Sequence, residues 1–307
     1  MDEIDDLSLM QKILNRIDSY IRQNASPLDK AFYLQKRGEL DSKMLLSELR
    51  KYQNPDGGFA HGIEPDVQAK VSSPIATTVA LQYLAHVEII GVEVLEKAVK
   101  YLESSFDPET YSWRLIMPEF NDLPHAPWWK YNGIREVNNQ INPTAEVVGY
   151  LNKYQHLLSN AFPLKELNSK IIERLLHISK GEVHDLLCYK RLYELNQNLF
   201  DEESREKLFS LIKSVVEIDS AKWSKYVPRP LDFVDSPNSP FFDLFERKLI
   251  KRNIDYLVDT IIEDHWEPTW NWGGASDDWE KAKRVWSGRI TVQSKLKLDA
   301  FRGWDAD

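Results

Sequence analysis

The chain has 307 residues, of which 42% are hydrophobic, and its formal net charge is −9. This length and hydrophobic content suit one large globular domain, and we expect residues 1–307 to form it. An acidic chain repels nucleic acid and anionic bilayers, so no nucleic-acid partner is expected. No apolar stretch reaches the roughly 18 residues of a membrane span. The acidic N-terminus is unlike a signal peptide, and one cysteine excludes an internal disulfide, which together predict a cytoplasmic protein.

The first helices are predicted from apolar residues at helical spacing over residues 9–21 and 44–52. The second stretch runs into Gln53-Asn-Pro-Asp-Gly-Gly-Phe59. Glycine in this segment can take the left-handed conformation that ends a helix, and Asp56 can accept hydrogen bonds from turn N–H groups. Ser73 followed by Pro74 then predicts a capped helix over residues 74–89.

Further helices are predicted at 92–106, 143–158 with Asn142 as its cap, 164–178, 183–196, 202–218, 241–263 and 290–301. No clean period-two alternation between hairpin turns is visible, so the chain is predicted to be all-α. The stretches 118–141 and 222–240 are rich in Pro, Asn and aromatic residues. They are too long for simple turns and are predicted to be functional loops.

Two internal similarities indicate a repeat. Ser73-Pro-Ile-Ala76 can be laid over Asn142-Pro-Thr-Ala145, and the segment that ends at Phe59 is echoed by Asp107-Pro-Glu-Thr-Tyr-Ser-Trp113. Helix pairs that recur in this way predict stacked αα-hairpins, which make a toroid if the array closes.

The segment Gln53-Asn-Pro-Asp-Gly-Gly-Phe59 resembles the glutamine-tryptophan repeat of squalene-hopene-type cyclases. The resemblance implies the α/α toroid of terpenoid cyclases and protein prenyltransferases, with a central cavity that binds a small-molecule ligand. The wider arrangement also resembles a bacterial group that shares the toroid, which implies no particular activity. The blocks that carry it are Gly57-Gly-Phe-Ala-His-Gly-Ile-Glu-Pro-Asp66, Pro124-His-Ala-Pro-Trp-Trp129, Asn142-Pro-Thr-Ala145, His184-Asp-Leu-Leu-Cys188 and Trp270-Asn-Trp-Gly-Gly274.

The chain departs from the catalytic motifs of these families. Ala275 stands at the first acidic position of Asp-x-Asp-Asp, and Lys281 breaks Asp-Asp-x-x-Asp. Asp185 and Cys188 only partly match the zinc ligands of prenyltransferases, and Cys188 is expected in an apolar part of a helix. Whether the protein is an enzyme therefore stays open, its cofactor is unknown, and no metal site is predicted.

His61, Glu64 and Asp66 are the candidate catalytic residues. They occupy six positions of the loop before the Ser73 helix, which would lie at the rim of a toroid cavity. An imidazole beside two carboxylates suits acid–base catalysis. The alternative is that the carboxylates cap backbone N–H groups and that His61 is a surface residue.

Aromatic clusters are the first group of candidate ligand-binding residues. His125, Trp128 and Trp129 lie on a proline-rich loop, and Trp270 and Trp272 lie in a second loop. Such rings can stack on a sugar or wall an isoprenoid. The alternative is that they anchor loops to the body of the protein.

Polar residues complete the candidate ligand-binding set. Glu146 is predicted one turn into its helix, where interaction with the helix N-terminus is the alternative explanation. His184 lies four residues before Cys188, so both share a helix face, although a hydrogen-bonded histidine beside a buried cysteine explains the pair equally. Arg229 and Arg289 are candidate anion clamps that could instead pair with carboxylates.

Three functions follow from these patterns. The first is a terpenoid cyclase or prenyltransferase relative that binds a small ligand in its cavity, with an isoprenoid-related enzyme as one form of it. The second is a carbohydrate-processing enzyme, a glycosidase or lyase, because α/α barrels that host such chemistry use paired acids and aromatic platforms. The third is a binding protein without catalysis.

Overall fold

A computed structural model describes residues 2–87, 93–133 and 141–304, with side chains from Met10 onward. Over these ranges the chain forms α-helices and no β-strand, which confirms the all-α prediction. The predicted helix end at 89, the helix start at 92 and part of the loop 118–141 lie outside the described residues. The helices are α1 (Asp2–Asn24), α2 (Pro27–Lys36), α3 (Ser42–Arg50), α4 (Pro74–Leu84), α5 (Glu93–Ser104), α6 (Thr144–Lys153), α7 (Leu164–His177), α8 (Val183–Leu195), α9 (Glu202–Val215), α10 (Pro230–Phe233), α11 (Arg247–Asp259) and α12 (Asp277–Ala300).

Local signals predicted some helix ends and missed others. The Ser73 hydroxyl accepts a hydrogen bond from the backbone N–H of Ala76, which confirms the predicted N-cap of α4. Asn142 was wrong as a cap, because Pro143 occupies the N-cap of α6 and the helix begins one residue later. The sequence prediction also missed α2, began α11 too early and began α12 too late.

The described chain divides into two compact units. Unit 2 is Leu49–Val216, and unit 1 combines residues 1–48 with residues 217–307, so the boundary falls near the end of α3. Unit 2 holds α4 to α9, while unit 1 holds α1, α2 and α10 to α12. Most predicted site residues belong to unit 2.

Unit 2 is a stack of three αα-hairpins. The consecutive pairs α4 and α5, α6 and α7, and α8 and α9 pack together. Helix α6 also contacts α4 and α8, whereas α7 contacts α9. Helices α4, α6 and α8 are buried on most sides, while α5, α7 and α9 are amphipathic with one exposed face. We call α4, α6 and α8 the buried row of unit 2.

Unit 1 is organised around the long helix α12. Helices α1 and α2 pack on α12, and α10 packs on α11. Buried Arg289 of α12 forms an ion pair with buried Asp29 of α2, with Nε 3.3 Å from the carboxylate oxygen Oδ1. This pair joins segments that are 260 residues apart in the sequence.

One hydrogen-bond arrangement recurs three times. In each case the backbone N–H of an aromatic residue that follows a turn donates to the hydroxyl of a buried threonine. The threonine belongs to a helix of the buried row or to α12, and the pairs are Phe59 to Thr77, Trp113 to Thr144 and Trp266 to Thr291. The indole N–H groups of the two tryptophans also donate to carbonyls of the preceding helices, at Leu102 and Leu257. The echo between the Phe59 and Trp113 segments is thus confirmed. These bonds make Thr77 of α4 equivalent to Thr144 of α6. This alignment differs by two residues from the sequence overlay, in which Ala76 corresponds to Ala145.

The third copy was missed because its turn has neither the glycine of the first copy nor the proline that the first two copies share, Pro55 and Pro108. The left-handed residue is Gly57 in the first turn, but Tyr111 and Glu263 take positive φ angles of 49° and 58° in the other two. A non-glycine residue at such an angle leaves no pattern that sequence reasoning can find. Among the described helices, none combines the length and the apolar character that crossing a membrane requires.

Candidate functional site

The turn before the candidate loop is fixed by backbone geometry and by side-chain hydrogen bonds. Gly57 has a φ of +94°, and a Cβ atom there would lie 2.3 Å from the carbonyl oxygen of Lys97. Asp56 Oδ1 accepts hydrogen bonds from the Gly58 N–H and the Ser72 hydroxyl, as the turn chemistry predicts. Gln53 Nε2 donates to the carbonyls of Gly57 and Val94, which ties the turn to α5. The loop that carries His61, Glu64 and Asp66 therefore begins at a turn that these contacts hold in place.

The three candidate catalytic residues take different environments in this loop. His61 is exposed, has a φ of 61°, and places Nε2 2.8 Å from Asn54 Oδ1. Asp66 is buried, whereas Glu64 is half-buried and its Oε1 accepts a hydrogen bond from the Asp66 N–H. In the described part of the chain no three His, Cys, Asp or Glu side chains are grouped to hold a metal ion. Glu64 is thus the candidate acid of this loop that borders open space.

The Trp128 loop pairs with the Glu64 loop. The Ala126 N–H donates to the Asp66 carbonyl, and the Gln68 N–H donates to the Pro124 carbonyl. These bonds bring His125 opposite Val67. The His125 ring is half-buried, and its Nδ1 donates to the Leu123 carbonyl at 2.8 Å. The structure therefore brings two of the predicted groups together in unit 2.

The two tryptophans of that loop face different surroundings. Trp129 packs edge-on against Phe120 with ring centroids 6.2 Å apart, and joins an apolar cluster with Val67 and Ala69. Trp128 is 46% exposed. Trp129 therefore acts as the loop anchor that the alternative reading predicts, while Trp128 offers an open ring face.

A pocket with about 200 Å³ of empty volume lies between the Glu64 loop and the start of α4. We call it the loop pocket. Most of its lining residues have apolar side chains, and Ser73 and Glu64 are the polar ones. The lining residues are Ala60, Gly62, Glu64, Val67, Ala69, Val71, Ser73, Ile75, Ala76 and Phe120. The 200 Å³ includes space that is open to solvent, and the enclosed part holds about one water-sized group, so the pocket suits a terminal methyl group of a ligand.

His184 lies at the N-terminus of α8 and is held by the helix cap. Glu182 is the N-cap; its carboxylate accepts hydrogen bonds from the backbone N–H groups of His184 and Asp185 and from His184 Nδ1 at 2.7 Å. The hydrogen bond to Glu182 raises the pKa of His184 above 6.5 despite partial burial, and the charge of Glu64 adds to this effect. His184 is not among the residues that line the loop pocket, and its relation to Glu64 is this charge interaction.

Glu146 lies inside a network that crosses the buried row. Its side chain is 3% exposed, and Oε1 accepts hydrogen bonds from Gln82 Nε2 of α4 at 2.8 Å and from the Tyr150 hydroxyl at 3.3 Å. Oε2 accepts from Arg191 Nη1 of α8 at 3.2 Å. We call Gln82, Glu146, Tyr150 and Arg191 the polar layer. Burial and the Glu146 charge raise the pKa of Tyr150 well above 10, so its hydroxyl stays a neutral donor.

Cys188 borders the polar layer, which corrects the expectation of a purely apolar setting. Its sulfur lies 3.6 Å from Asn142 Oδ1 and 4.0 Å from Glu146 Oε2. Burial, and then the charge of Glu146, raise the pKa of the thiol well above 9. Cys188 is therefore a weak hydrogen-bond donor here and does not supply a thiolate nucleophile.

The sequence singled out Glu146 but missed its partners. Gln82, Tyr150 and Arg191 come from three helices, and their convergence depends on how those helices pack. The four-residue spacing between Glu146 and Tyr150 was the available local signal, because such residues share a helix face. Arg191 lies seven residues after His184, on the same side of α8, and this spacing was also readable.

The remaining candidates lie in unit 1, where the two arginines are both occupied by acids. Arg229 lies 3.9 Å from Asp232 and over the Tyr256 ring, with 5.6 Å to the ring centroid. Arg289 is buried against Asp29, as described above. Both arginines thus have a carboxylate within 4 Å, as the alternative predicts, and each also lies over an aromatic ring, Tyr256 or Trp286.

The two candidate tryptophans of unit 1 belong to aromatic clusters. Trp270 packs edge-on against Trp286 and Tyr226, with ring centroids 5.1 Å and 5.8 Å away. Trp272 lies 6.0 Å from Trp279. These contacts are those of rings that hold a long loop against α12.

Comparison with known proteins adds no relative. The chain matches no protein-family model, no curated protein and no solved structure. The functional argument therefore rests on the residues of unit 2.

Proposed function

We propose that this protein binds a small, largely apolar ligand in unit 2, as a relative of the terpenoid cyclases and protein prenyltransferases. The apolar end of the ligand would enter the loop pocket, and Glu64 and His184 would meet a polar group at its mouth. The observation that carries this proposal is the set of lining residues, most of which have aliphatic or aromatic side chains, with Glu64 as the acid among them. A bacterial origin and an isoprenoid substrate belong to the same proposal.

The closed α/α toroid with a central cavity is part of this proposal. Its support is the stack of three hairpins in unit 2, with a buried row and an amphipathic row. The recurring bond from an aromatic N–H to a threonine adds support, because it marks equivalent helices at Thr77, Thr144 and Thr291. In a repeat array each hairpin buries its apolar face against its neighbours, which favours continuation of the stack.

Geraniol, 1-decanol, isoprenyl diphosphates with Mg²⁺ and neutral oligosaccharides form the test panel, scored by thermal shift of the full chain. A ligand at 100 times its dissociation constant stabilises a fold by about 2.7 kcal/mol, which is readily detected. We expect the apolar alcohols to raise the melting temperature.

Adjacent substitutions locate the site. Val71 lines the loop pocket, whereas its exposed neighbour Lys70 does not. We expect Val71→Trp to abolish the shift caused by geraniol and Lys70→Trp to keep it, with both unliganded proteins folded by circular dichroism. Equal shifts in both variants, or no shift with any member of the panel, would refute the proposed pocket.

Carbohydrate binding is the second candidate, and the open face of Trp128 favours it. The ring is 46% exposed and stands on a short 3-10 turn that begins at Pro127. Hydrolysis of a glycosidic bond needs two carboxyl groups about 5–10 Å apart, and the loop pocket is lined by the carboxylate of Glu64 alone. A thermal shift with oligosaccharides that is lost in Trp128→Ala and retained in Val71→Trp would favour this reading.

A further inference from the structure

Helices α4 and α8 each carry a row of side chains that stay partly exposed. In α8 these are His184, Leu187 and Arg191, and in α4 they are Ile75 and Gln82. Spacings of three, four and seven residues place each row on one helix face. Most other residues of α4 are buried, so these rows mark a common uncovered side of the buried row.

The two rows are linked at Glu146, because both Gln82 and Arg191 donate hydrogen bonds to its carboxylate. Ile75 lines the loop pocket and lies seven residues before Gln82, which is about 10 Å along a helix axis. The loop pocket and the polar layer therefore lie one after the other along the same face of α4.

The guanidinium of Arg191 is fixed on one side and open on the other. Nη1 donates to Glu146 Oε2 at 3.2 Å and to the Leu187 carbonyl at 3.4 Å. Nε and Nη2 have no hydrogen-bond partner among the residues that the structure describes, and the side chain is 33% exposed. These two groups form one edge of the guanidinium, and arginine stays protonated in proteins.

Glu146 orients this guanidinium without covering its open edge. Its Oε1 is occupied by Gln82 and Tyr150, and its Oε2 by Arg191 and by the Cys188 thiol at 4.0 Å. The parallel Nε–H and Nη2–H donors of an arginine edge match the two oxygens of a carboxylate.

We infer that Arg191 binds the carboxylate of an amphipathic aliphatic acid through Nε and Nη2, while the aliphatic chain lies along the uncovered face of α4 and its terminal methyl group enters the loop pocket. This inference rests on the proposed function, because it uses the same pocket. Glu146 is a positioning residue, since it fixes Arg191 and does not itself touch the ligand.

The charges around α8 favour a singly charged head group over a diphosphate. The ionisable neighbours that act on His184 are Glu182, Asp185 and Glu64, all of which are acidic. Arg191 is already paired with Glu146, so its open edge offers two hydrogen bonds to one carboxylate and no net positive charge. A diphosphate carries more negative charge and would be repelled by the same acids.

Isothermal titration of the full chain with decanoate tests the inference, and 1-decanol serves as the ligand without the carboxylate. Arg191→Lys keeps the charge beside Glu146 but lacks the two-donor edge. The double variant Glu146→Gln with Arg191→Gln removes both charges together, so it leaves no buried ion without a partner. Arg205→Lys, on the outer helix α9, is the matched control.

We expect decanoate to bind the wild-type protein and the control about tenfold or more tightly than either Arg191 variant, with decanol affinity unchanged throughout. Decanol binding with no preference for decanoate would overturn the carboxylate site and leave the proposed pocket intact. Acetate binding that depends on Arg191, with no decanol binding, would support the carboxylate site and refute the pocket. Geranyl diphosphate binding more tightly than decanoate, or no binding of decanoate and acetate, would overturn the inference.

Discussion

The ion pair between Glu146 and Arg191 gives the first prediction at the scale of single residues. Glu146→Leu leaves Arg191 without its anion and Gln82 without its acceptor. Breaking a buried pair costs about 3–5 kcal/mol. Because the Arg191 side chain is 33% exposed and can be rehydrated, we expect a loss of about 2 kcal/mol in the free energy of unfolding, measured by urea denaturation.

Asp255→Leu is the control for this loss. Asp255 pairs with Lys251 at 2.8 Å, but both side chains are more than half exposed. Exposed pairs contribute little, and a change within about 0.5 kcal/mol is expected. Similar losses in the two variants would show that the Glu146 ion pair contributes no more to the free energy of unfolding than an exposed pair.

The cap of α8 predicts a dependence of stability on pH. The Glu182 carboxylate raises the pKa of His184, so the contribution of His184 is complete below pH 6.5 and is lost as the pH rises through the higher folded value. Burial opposes ionisation of Glu182, but its hydrogen bonds with His184 and backbone N–H groups lower its pKa. Its own contribution is present above pH 4.5 and is lost as the pH falls through the lower folded value.

The stability difference between wild type and His184→Asn should therefore be largest near pH 5–6 and should shrink by pH 9. We expect less than about 1 kcal/mol, because both side chains of the pair are half exposed. Guanidinium denaturation at several pH values measures the difference, and NMR titration reports the pKa of His184 directly. If Glu182→Gln leaves that pKa unchanged, the hydrogen bond is not its cause.

At the scale of helices and turns, adjacent threonines of α4 separate the repeat contact from ordinary burial. Thr77 and Thr78 are both fully buried, and both hydroxyls donate to a carbonyl of the preceding turn. Thr77 also accepts the backbone N–H of Phe59. Thr77→Val leaves that N–H unsatisfied, so it should cost about 1–3 kcal/mol. Thr78→Val should cost clearly less by the same thermal or urea measurement, and equal costs would contradict a structural role for the repeat contact.

Gly57 gives a prediction for the turn before the loop pocket. Gly57→Ala places a Cβ atom 2.3 Å from the carbonyl of Lys97 and strains a left-handed residue. Gly38→Ala imposes a similar left-handed strain in open space, since nothing lies within 4 Å of a Cβ there. We expect about 1 kcal/mol for Gly38→Ala and a larger loss for Gly57→Ala in thermal unfolding. Equal losses would show that the turn can move away from α5.

These elements show what could be predicted from the sequence. The Ser73 cap and the turn at Asp56 and Gly57 depend on neighbours within five residues, and both were predicted. The Asn142 cap was wrong: Pro143 is the N-cap of α6, and Asn142 Oδ1 accepts from the Cys188 thiol, 46 residues away. Glu146 was identified as a candidate, but its role depends on Gln82 and Arg191, which lie 64 and 45 residues away. No local pattern encodes such contacts.

At the scale of the whole molecule, the division into two units predicts separate responses to local damage. Asp29→Asn leaves buried Arg289 without its anion, which should cost about 3 kcal/mol. Hydrogen exchange followed by mass spectrometry should then show faster exchange in residues 10–48 and 217–304, with exchange in 49–216 nearly unchanged. Ser236→Asn, at a half-exposed site in the same unit, is the control. A uniform increase across the chain would show that the two units unfold together.

Unit 1 is built from the first and the last part of the chain, and this has a consequence for biosynthesis. Asp29 and Arg289 are separated by 260 residues, and ribosomes add about 5–20 residues per second. Helices α1 and α2 therefore wait about 13–52 seconds for α12, and during that time Ile17, Ile21 and Leu28, which are buried in the finished fold, have no surface to cover them. Unit 2 is fully synthesised within this interval. The apolar faces of the nascent N-terminal helices thus stay without the cover of α12 until translation is nearly finished.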